Sequence, residues 1–231
     1  MKNLGNIAFI VQARLNSQRV PRKMLRPFAG TTLFELVLDK LVAAKNIPNS
    51  NIFASVHEEE LVDIALDKGV NVWERSYESA NNDNDLKLIF EWYNKLPAKY
   101  DYVVIISGCN PLLKVETIDK FVEQFVNQKE ENLFGVIEKK QYYWNKEGVL
   151  VTPWPEGQTL MNTKAVEPTY EAAHVLYASR LDLIDDYRFM GDFDKPGGIK
   201  LFPMEELEVF DIDYEWQFKV GETLYNTFSN V

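Results

Sequence analysis

A doubly wound, mostly parallel α/β sheet is the fold this sequence predicts, and three observations point to it. Residues 7–11 and 102–106 are continuous apolar runs rather than alternating ones, which suits strands buried on both faces of a parallel sheet. Segments with helical periodicity stand between such runs, so strand and helix alternate through the first half of the chain. The 231 residues, 46% of them hydrophobic, suffice for one sizeable core. No repeat, low-complexity tract or linker divides them, so residues 1–231 read as a single domain.

The strand at 7–11 is followed by a polar, basic, proline-marked loop over 14–27. Thr31 or Thr32 caps a helix whose apolar stripe is Leu33, Leu36, Val37 and Leu41. Residues 51–56 form a second strand and 58–68 a second helix, ended by Gly69. A short strand at 71–73 leads through a loop at 75–82 to a helix over 83–96, starting at Asp83, and then to the strand at 102–106. Past Pro111, residues 115–127 make the next helix. Beyond 133 the pattern loosens. Residues 133–138, 141–144 and 149–151 are expected as short strands with hairpin-like turns, and 133–170 as a small protruding β-rich arm. Residues 174–179 and 208–210 return to the sheet. A last helix runs from 213 to about 228 with Trp216, Val220 and Leu224 on its apolar stripe.

A formal net charge of −10 argues against nucleic-acid or anionic-membrane binding, which needs a broad basic surface. The single cysteine, Cys109, has no partner for an internal disulfide, and with two histidines it cannot build a zinc site. The first residues lack a signal-peptide layout, and no apolar stretch approaches the roughly 20 residues that span a bilayer. A cytoplasmic location is expected.

Ligands of open parallel sheets bind outside the carboxyl ends of the strands, and three loops at that rim carry unusual residues. The first places Arg14, Arg19, Arg22 and Lys23, four cations within ten residues, directly after the first strand. Arginine offers phosphate oxygens a planar fork and lysine a mobile point charge, so such a loop suits a nucleoside triphosphate. A solvated loop answering surface carboxylates would carry the same residues. Neither a G-x-x-x-x-G-K nor a G-x-G-x-x-G pattern occurs, which removes support for the common ATPase and dinucleotide-binding classes. The second loop runs from Ser107 to Leu112, where Gly108 and Pro111 suit a tight turn. The third is Asp211-Ile212-Asp213. Two carboxylates at a spacing of two on extended backbone face the same way and suit one hard cation. Asp213 alone would equally suit a helix N-cap.

The run over 11–25, VQARLNSQRVPRKML, resembles the opening motif A-R-x-x-S-x-R/G-x-P-x-K of the acidic-sugar cytidylyltransferases. That family includes the acylneuraminate (sialic, legionaminic, pseudaminic) and Kdo synthetases and the related spore-coat polysaccharide proteins. The likeness extends through nearly the whole chain and implies a Rossmann-like nucleotidyltransferase fold. It also implies a CMP-sugar synthetase that transfers CMP from CTP to an acidic, 2-keto-3-deoxy sugar and releases pyrophosphate, in surface polysaccharide or glycan biosynthesis.

By that resemblance Arg14, Ser17, Arg19 and Lys23 contact the CTP phosphates, with Arg14, Lys23 and Asp211 carrying the chemistry. Arg75, in R-S-Y-E-S-A, lies beside the cytosine, and Ser107 contacts the nucleotide. Lys164, His174 and Tyr177 fall on the sugar side, although a histidine in an apolar strand is equally a core residue. Asp211 and Asp213 hold Mg2+. Relatives are commonly dimers, which implies a homodimer with Tyr142, Tyr143, Trp144 and Trp154 suited to the contact. The chain departs from its relatives at Met24, where the sialic branch has asparagine, and at Cys109, where Kdo enzymes have a metal-binding aspartate. A nucleotidyltransferase for another base or sugar, and a nonenzymatic nucleotide-binding member, are the rival readings.

Overall fold

The computed structural model describes residues 1–82, 84–97 and 100–228. The chain enters through strand β1 (Ile7–Gln12), runs through the basic loop, and makes a small hairpin of β2 (Pro27–Phe28) and β3 (Thr31–Thr32) before helix α1 (Leu33–Ala43). Thr32 caps α1: its hydroxyl accepts from the Glu35 amide at 3.2 Å and donates to the Glu35 carboxylate at 2.9 Å. This reciprocal pair satisfies an orphan donor of the first turn. Strand β4 (Ile52–Val56), helix α2 (Glu59–Asp67) and strand β5 (Asn71–Glu74) follow, then two single helical turns, α3 (Tyr77–Ala80) and α4 (Leu86–Ile89). Strand β6 (Tyr102–Ile106), helix α5 (Val115–Asn127), strands β7 (Leu133–Lys139), β8 (Thr169–Arg180) and β9 (Lys200–Pro203), and helix α6 (Glu215–Phe228) complete the order.

Seven strands form one sheet in the order β5-β4-β1-β6-β8-β7-β9. All neighbours are parallel except β8, which runs antiparallel to both β6 and β7. The chain moves from β1 outward to β4 on one side and later returns to β6 on the other. The β1/β6 boundary is therefore the switch point where such sheets open a crevice. β1 and β6 are buried along nearly their whole length, as their unbroken apolar runs require.

The two faces are covered unequally. Helices α1, α2, α5 and α6 bring Phe34, Leu38, Leu61, Phe121, Phe125 and Phe218 against Ile7, Phe9 and Val11 on one face. The other face, below Ala8 and Ile10, is covered by Phe90, Trp92, Leu96, Leu181, Ile184 and Phe189 from short turns. Among the described residues the full-length helices therefore pack on the first face, where a doubly wound sheet would carry helices on both.

Three segments differ from expectation for identifiable reasons. The helix expected over 83–96 is a single turn, α4, followed by further turns, and Asp83 lies outside the described residues. Trp92 is fully buried although it stands two residues from buried Phe90. A regular helix would put these two on opposite sides, so the segment unwinds to bury both. Residues 208 and 209 belong to a 3-10 turn, Glu206–Val209, with Phe210 as its C-cap, rather than to a strand. The buried Glu208 carboxylate there accepts from the Thr117 hydroxyl at 2.9 Å and sits 3.5 Å from the Lys114 ammonium. The strand that closes this side is instead β9, a short edge whose terminal Pro203 is tolerated because an edge leaves one side unpaired. In the arm, 141–144 and 149–151 meet at an isolated bridge between Trp144 and Leu150, with the Val151 amide donating to the Tyr143 carbonyl at 2.7 Å, and do not extend into regular strands. Tyr142 is buried there with its ring 5.6 Å from that of Trp154, while Tyr143, Trp144 and Trp154 are exposed. No helix among the described residues is long and apolar enough to cross a membrane.

Candidate nucleotide site at the sheet rim

The loop leaving β1 is pinned from several sides. The Ala13 amide donates to the Ser55 carbonyl and the Leu15 amide to the Glu58 carboxylate at 2.8 Å. Met24 is buried beneath the loop, and the Phe34 amide bonds its carbonyl at 3.1 Å. These ties hold Arg14, Ser17, Arg19 and Lys23 around a cavity of about 550 Å3 that Arg75, Cys109 and Asp213 also line. Arg22 is directed elsewhere, making a two-pronged contact with Glu60 on α2 at 2.9 and 3.0 Å.

Asp211, Ile212 and Asp213 alternate as extended backbone should. Ile212 is fully buried in the core, so the flanking carboxylates stand on the opposite side. Both ends of the Ile212 peptide are tethered: its amide donates to the Cys109 carbonyl at 3.1 Å and its carbonyl accepts from Lys23 Nζ at 2.5 Å. Asp213 receives Arg19 at 2.7 Å and Lys23 at 3.4 Å. Asp213 does not serve α6 as an N-cap. Gln217 reaches back instead, its Oε1 accepting from the Asp213 and Tyr214 amides at 2.8 Å, which leaves the Asp213 carboxylate to the cations.

Burial pushes the Asp211 carboxyl above the usual carboxylate range, Asp213 adds to this, and Lys23 and Arg19 oppose it. Burial works against the Lys23 ammonium, while the Asp211 and Asp213 carboxylates beside it favour its charged form. Burial also raises the Cys109 thiol, so the thiol stays protonated and is no nucleophile. Lys23 is therefore a firmly charged ammonium facing two carboxylates, one of them held uneasily.

A divalent cation was tested against the residues present. Among the described residues no group of three or more His, Cys, Asp and Glu side chains gathers in a way that could hold a metal by itself. Asp211 Oδ1, however, is buried without a hydrogen-bond partner, an orphaned acceptor that native structures rarely keep without a use. One or two carboxylate oxygens, with the remaining positions left to substrate phosphates and water, is how magnesium is usually bound. The donor set fits that ion and does not build a closed metal cage.

The remaining expected residues divide. The Arg75 guanidinium is buried, donating to Ser79 Oγ at 3.1 Å and to the Ser79 carbonyl, so it braces the α3 turn while lining the cavity. Arg14 likewise reaches the Ala80 carbonyl at 3.0 Å. Ser107 lies outside the lining, its hydroxyl accepting from the Cys109 amide to make the turn. A Cβ at Gly108 would stand 2.8 Å from Met24 Cε, the movable end of a flexible side chain, so glycine eases this close approach without being demanded by it. His174 is exposed rather than core. It sits at φ 55° within a bulge of β8, its Nδ1 2.9 Å from the Tyr177 hydroxyl. Burial and the nearby Asp211 raise the Tyr177 phenol, so this pair borders the aspartates without lining the cavity. Lys164, on an exposed 3-10 turn at Thr163–Ala165, is not brought to the cavity. Gln12, Gln18, Asn82 and Ile89 do line it and were not expected. A polar residue ending the apolar run of β1 is the sequence signal that could have found Gln12.

An open α/β sheet with a cation-lined crevice at its switch point defines a nucleotide-handling class. The same fold is seen in CMP:2-keto-3-deoxy-manno-octonic acid synthetase complexed with CTP, with a TM-score of 0.68 at 11% identity over 96% of this chain and 98% of that one. Over 138 residues the chain is 28% identical to 3-deoxy-manno-octulosonate cytidylyltransferase of Francisella tularensis subsp. holarctica (strain LVS), covering 59% of this chain and 52% of the relative. Over 142 residues it is 27% identical to N-acylneuraminate cytidylyltransferase A of Danio rerio, covering 61% and 32%. The chain spans about half or less of the length of these curated relatives. Residues 8–215 match the cytidylyltransferase family model, and the chain belongs to that family.

Proposed function

We propose that this protein transfers CMP from CTP to an acidic sugar of the 2-keto-3-deoxy type and releases pyrophosphate, acting as a cytoplasmic homodimer. The observation that carries this reading is the meeting of Lys23 with Asp211-Ile212-Asp213 at the mouth of a cation-lined cavity. Family membership supplies the class of reaction, and the named relatives suggest the acceptor.

The attacking group would be the sugar's anomeric hydroxyl and the electrophile the α-phosphorus of CTP. Such a transfer needs alignment and charge neutralisation rather than a protein nucleophile, in keeping with a protonated Cys109. Arg14, Ser17 and Arg19 would grip the triphosphate, and Lys23 would stand where negative charge gathers as pyrophosphate leaves. Asp211 and Asp213 would hold magnesium, which when bound polarises phosphate oxygens and acidifies the attacking hydroxyl. Arg75 would act chiefly by bracing the cavity wall. His174 and Tyr177, coupled to each other and close to Asp211, would meet the sugar; Lys164 has no such placement in its favour.

We also propose that residues 1–231 act as one catalytic unit with 133–170 as its arm. Trp144, Val149, Val151, Trp154, Leu160 and Met161 expose apolar surface along that segment, which favours its burial against a second copy. A pyrophosphate-release assay over CTP, UTP, ATP and GTP against a panel of acidic sugars tests the activity. Release that requires CTP, magnesium and one acidic sugar is expected. A preference for another nucleotide would overturn the base assignment, and CTP binding without turnover on any sugar would favour the nonenzymatic reading.

A further inference from the structure

Gln12 ends β1 at the sheet rim, where it is half-buried and lines the cavity. Its Nε2 donates to the Ile89 carbonyl at 3.0 Å. A carbonyl can only accept, so the amide orientation is fixed: Nε2 faces Ile89 and Oε1 faces the other way. Oε1 has no hydrogen-bond partner among the described residues and is not buried. On a side chain whose exposed part borders the cavity, that leaves a carbonyl acceptor, held from behind, presented to the bound molecule.

The position of this acceptor along the cavity follows from the sheet. Lys23, Met24 and Cys109 lie on the α1 side, where Gly108 approaches Met24, Val37 and Val11. Side chains alternate along β1, so Gln12 shares the opposite side with Ala8 and Ile10 and meets Ile89 there. The cavity thus crosses the rim from Lys23 and Asp213 at one end to Gln12 and Ile89 at the other, where Arg75, tied to Ser79 beside the Ile89 carbonyl, also lines the wall. A nucleotide whose phosphates sit at the first end brings its base toward the second.

Cytosine and uracil differ on that edge at two places: at position 4 cytosine carries an amino donor where uracil carries an oxo acceptor, and at N3 cytosine carries an acceptor where uracil carries an N–H donor. A fixed acceptor set against position 4 rewards the amino group and repels the oxo group, and a site built for a hydrogen bond discriminates far better than one built on shape alone. We infer that Gln12, oriented by the Ile89 carbonyl, is a specificity residue that selects an amine-bearing pyrimidine through Oε1. This rests on the nucleotide-transfer reading given above and adds to it the group that reads the base.

The test measures CTP and UTP dissociation constants by calorimetry for the unaltered protein and for Gln12→Leu, with Gln12→Met as the second variant should the first fail to fold. The unaltered protein is expected to favour CTP. The apolar variants are expected to lower the CTP-to-UTP preference at least about fivefold, the loss of roughly one hydrogen bond, chiefly by weakening CTP. A folded variant that keeps the original preference would overturn the role of Gln12 while leaving the transferase reading intact. Absence of CTP binding by the unaltered protein would overturn that reading, and this inference with it.

Discussion

Lys23 Nζ donates to the Ile212 carbonyl at 2.5 Å and stands 3.4 Å from Asp213, joining the loop after the first strand to the segment before the last helix. The contact spans 189 residues of sequence, so the two charged elements form one site only in the folded chain. Replacing Lys23 with methionine removes the donor to that carbonyl and leaves Arg19 alone to oppose the repulsion between the two carboxylates. Pyrophosphate release is expected to fall 100-fold or more, as for loss of a preorganised charge at a transition state. Stability should drop by about 1–3 kcal/mol. Steady-state kinetics and thermal melting check the two effects.

Arg19 makes the closer contact with Asp213, 2.7 Å, but its side chain is 53% exposed. Exposed pairs contribute about 0–1 kcal/mol. Arg19→Ala should therefore leave the melting temperature nearly unchanged while weakening CTP binding about tenfold, with a shallower salt dependence than the parent. An unchanged dissociation constant in calorimetry would remove Arg19 from the phosphate contacts.

Away from the cavity, Lys40 on α1 donates to the Pro111 carbonyl behind the Ser107–Leu112 turn, and burial lowers its pKa to about 8 with Glu208 opposing. A lysine depressed from 10.5 to about 8 costs the folded state on the order of 3 kcal/mol below pH 8. Between pH 8 and 10.5 the unfolded chain holds the proton and the folded chain does not, so this cost is relieved as pH rises. The stability of the parent relative to Lys40→Met should increase across that window and be flat below it. Denaturant unfolding at pH 7, 8, 9 and 10 measures the difference, and a flat profile throughout would refute the depressed lysine.

Helix α6 is seated by Phe218, which is buried, with its ring 5.6 Å from that of Phe28 and the Arg26 guanidinium 4.3 Å from its centre. Phe218→Ala is expected to cost about 3–5 kcal/mol. Because Asp213 lies two residues before α6 begins, the variant should also weaken nucleotide binding. Unfolding curves and CTP titrations of the same sample report both.

Much of the sheet was legible because β1 and β6 are buried on both faces and their residues show it as unbroken apolar runs. The turn at Glu206–Val209 was not, since a buried glutamate paired to Thr117 is a tertiary event with no local signature. The unwinding after α4 was likewise set by the burial of Trp92 rather than by period. At the site, Arg14, Arg19 and Lys23 stand out, with Arg22, as four cations in an acidic chain, and Ser17 was named through the resemblance of the motif over 11–25. Asp211 and Asp213 were found through their spacing. Ser107 and Lys164 were placed by resemblance alone, and the local structure turns one into a loop brace and leaves the other on an exposed turn away from the cavity. Gln12 escaped notice because its meaning depends on Ile89, 77 residues away.

Single-turnover pyrophosphate release from CTP, with an acidic sugar and magnesium titrated from zero, compares the parent with Asp211→Asn most directly. The parent should show saturable, metal-dependent release. The variant should remain folded, bind CTP and lose release by a factor of about 100 or more at any magnesium concentration. Release by Asp211→Asn close to that of the parent would contradict the convergence of a cation loop and an aspartate pair on one triphosphate.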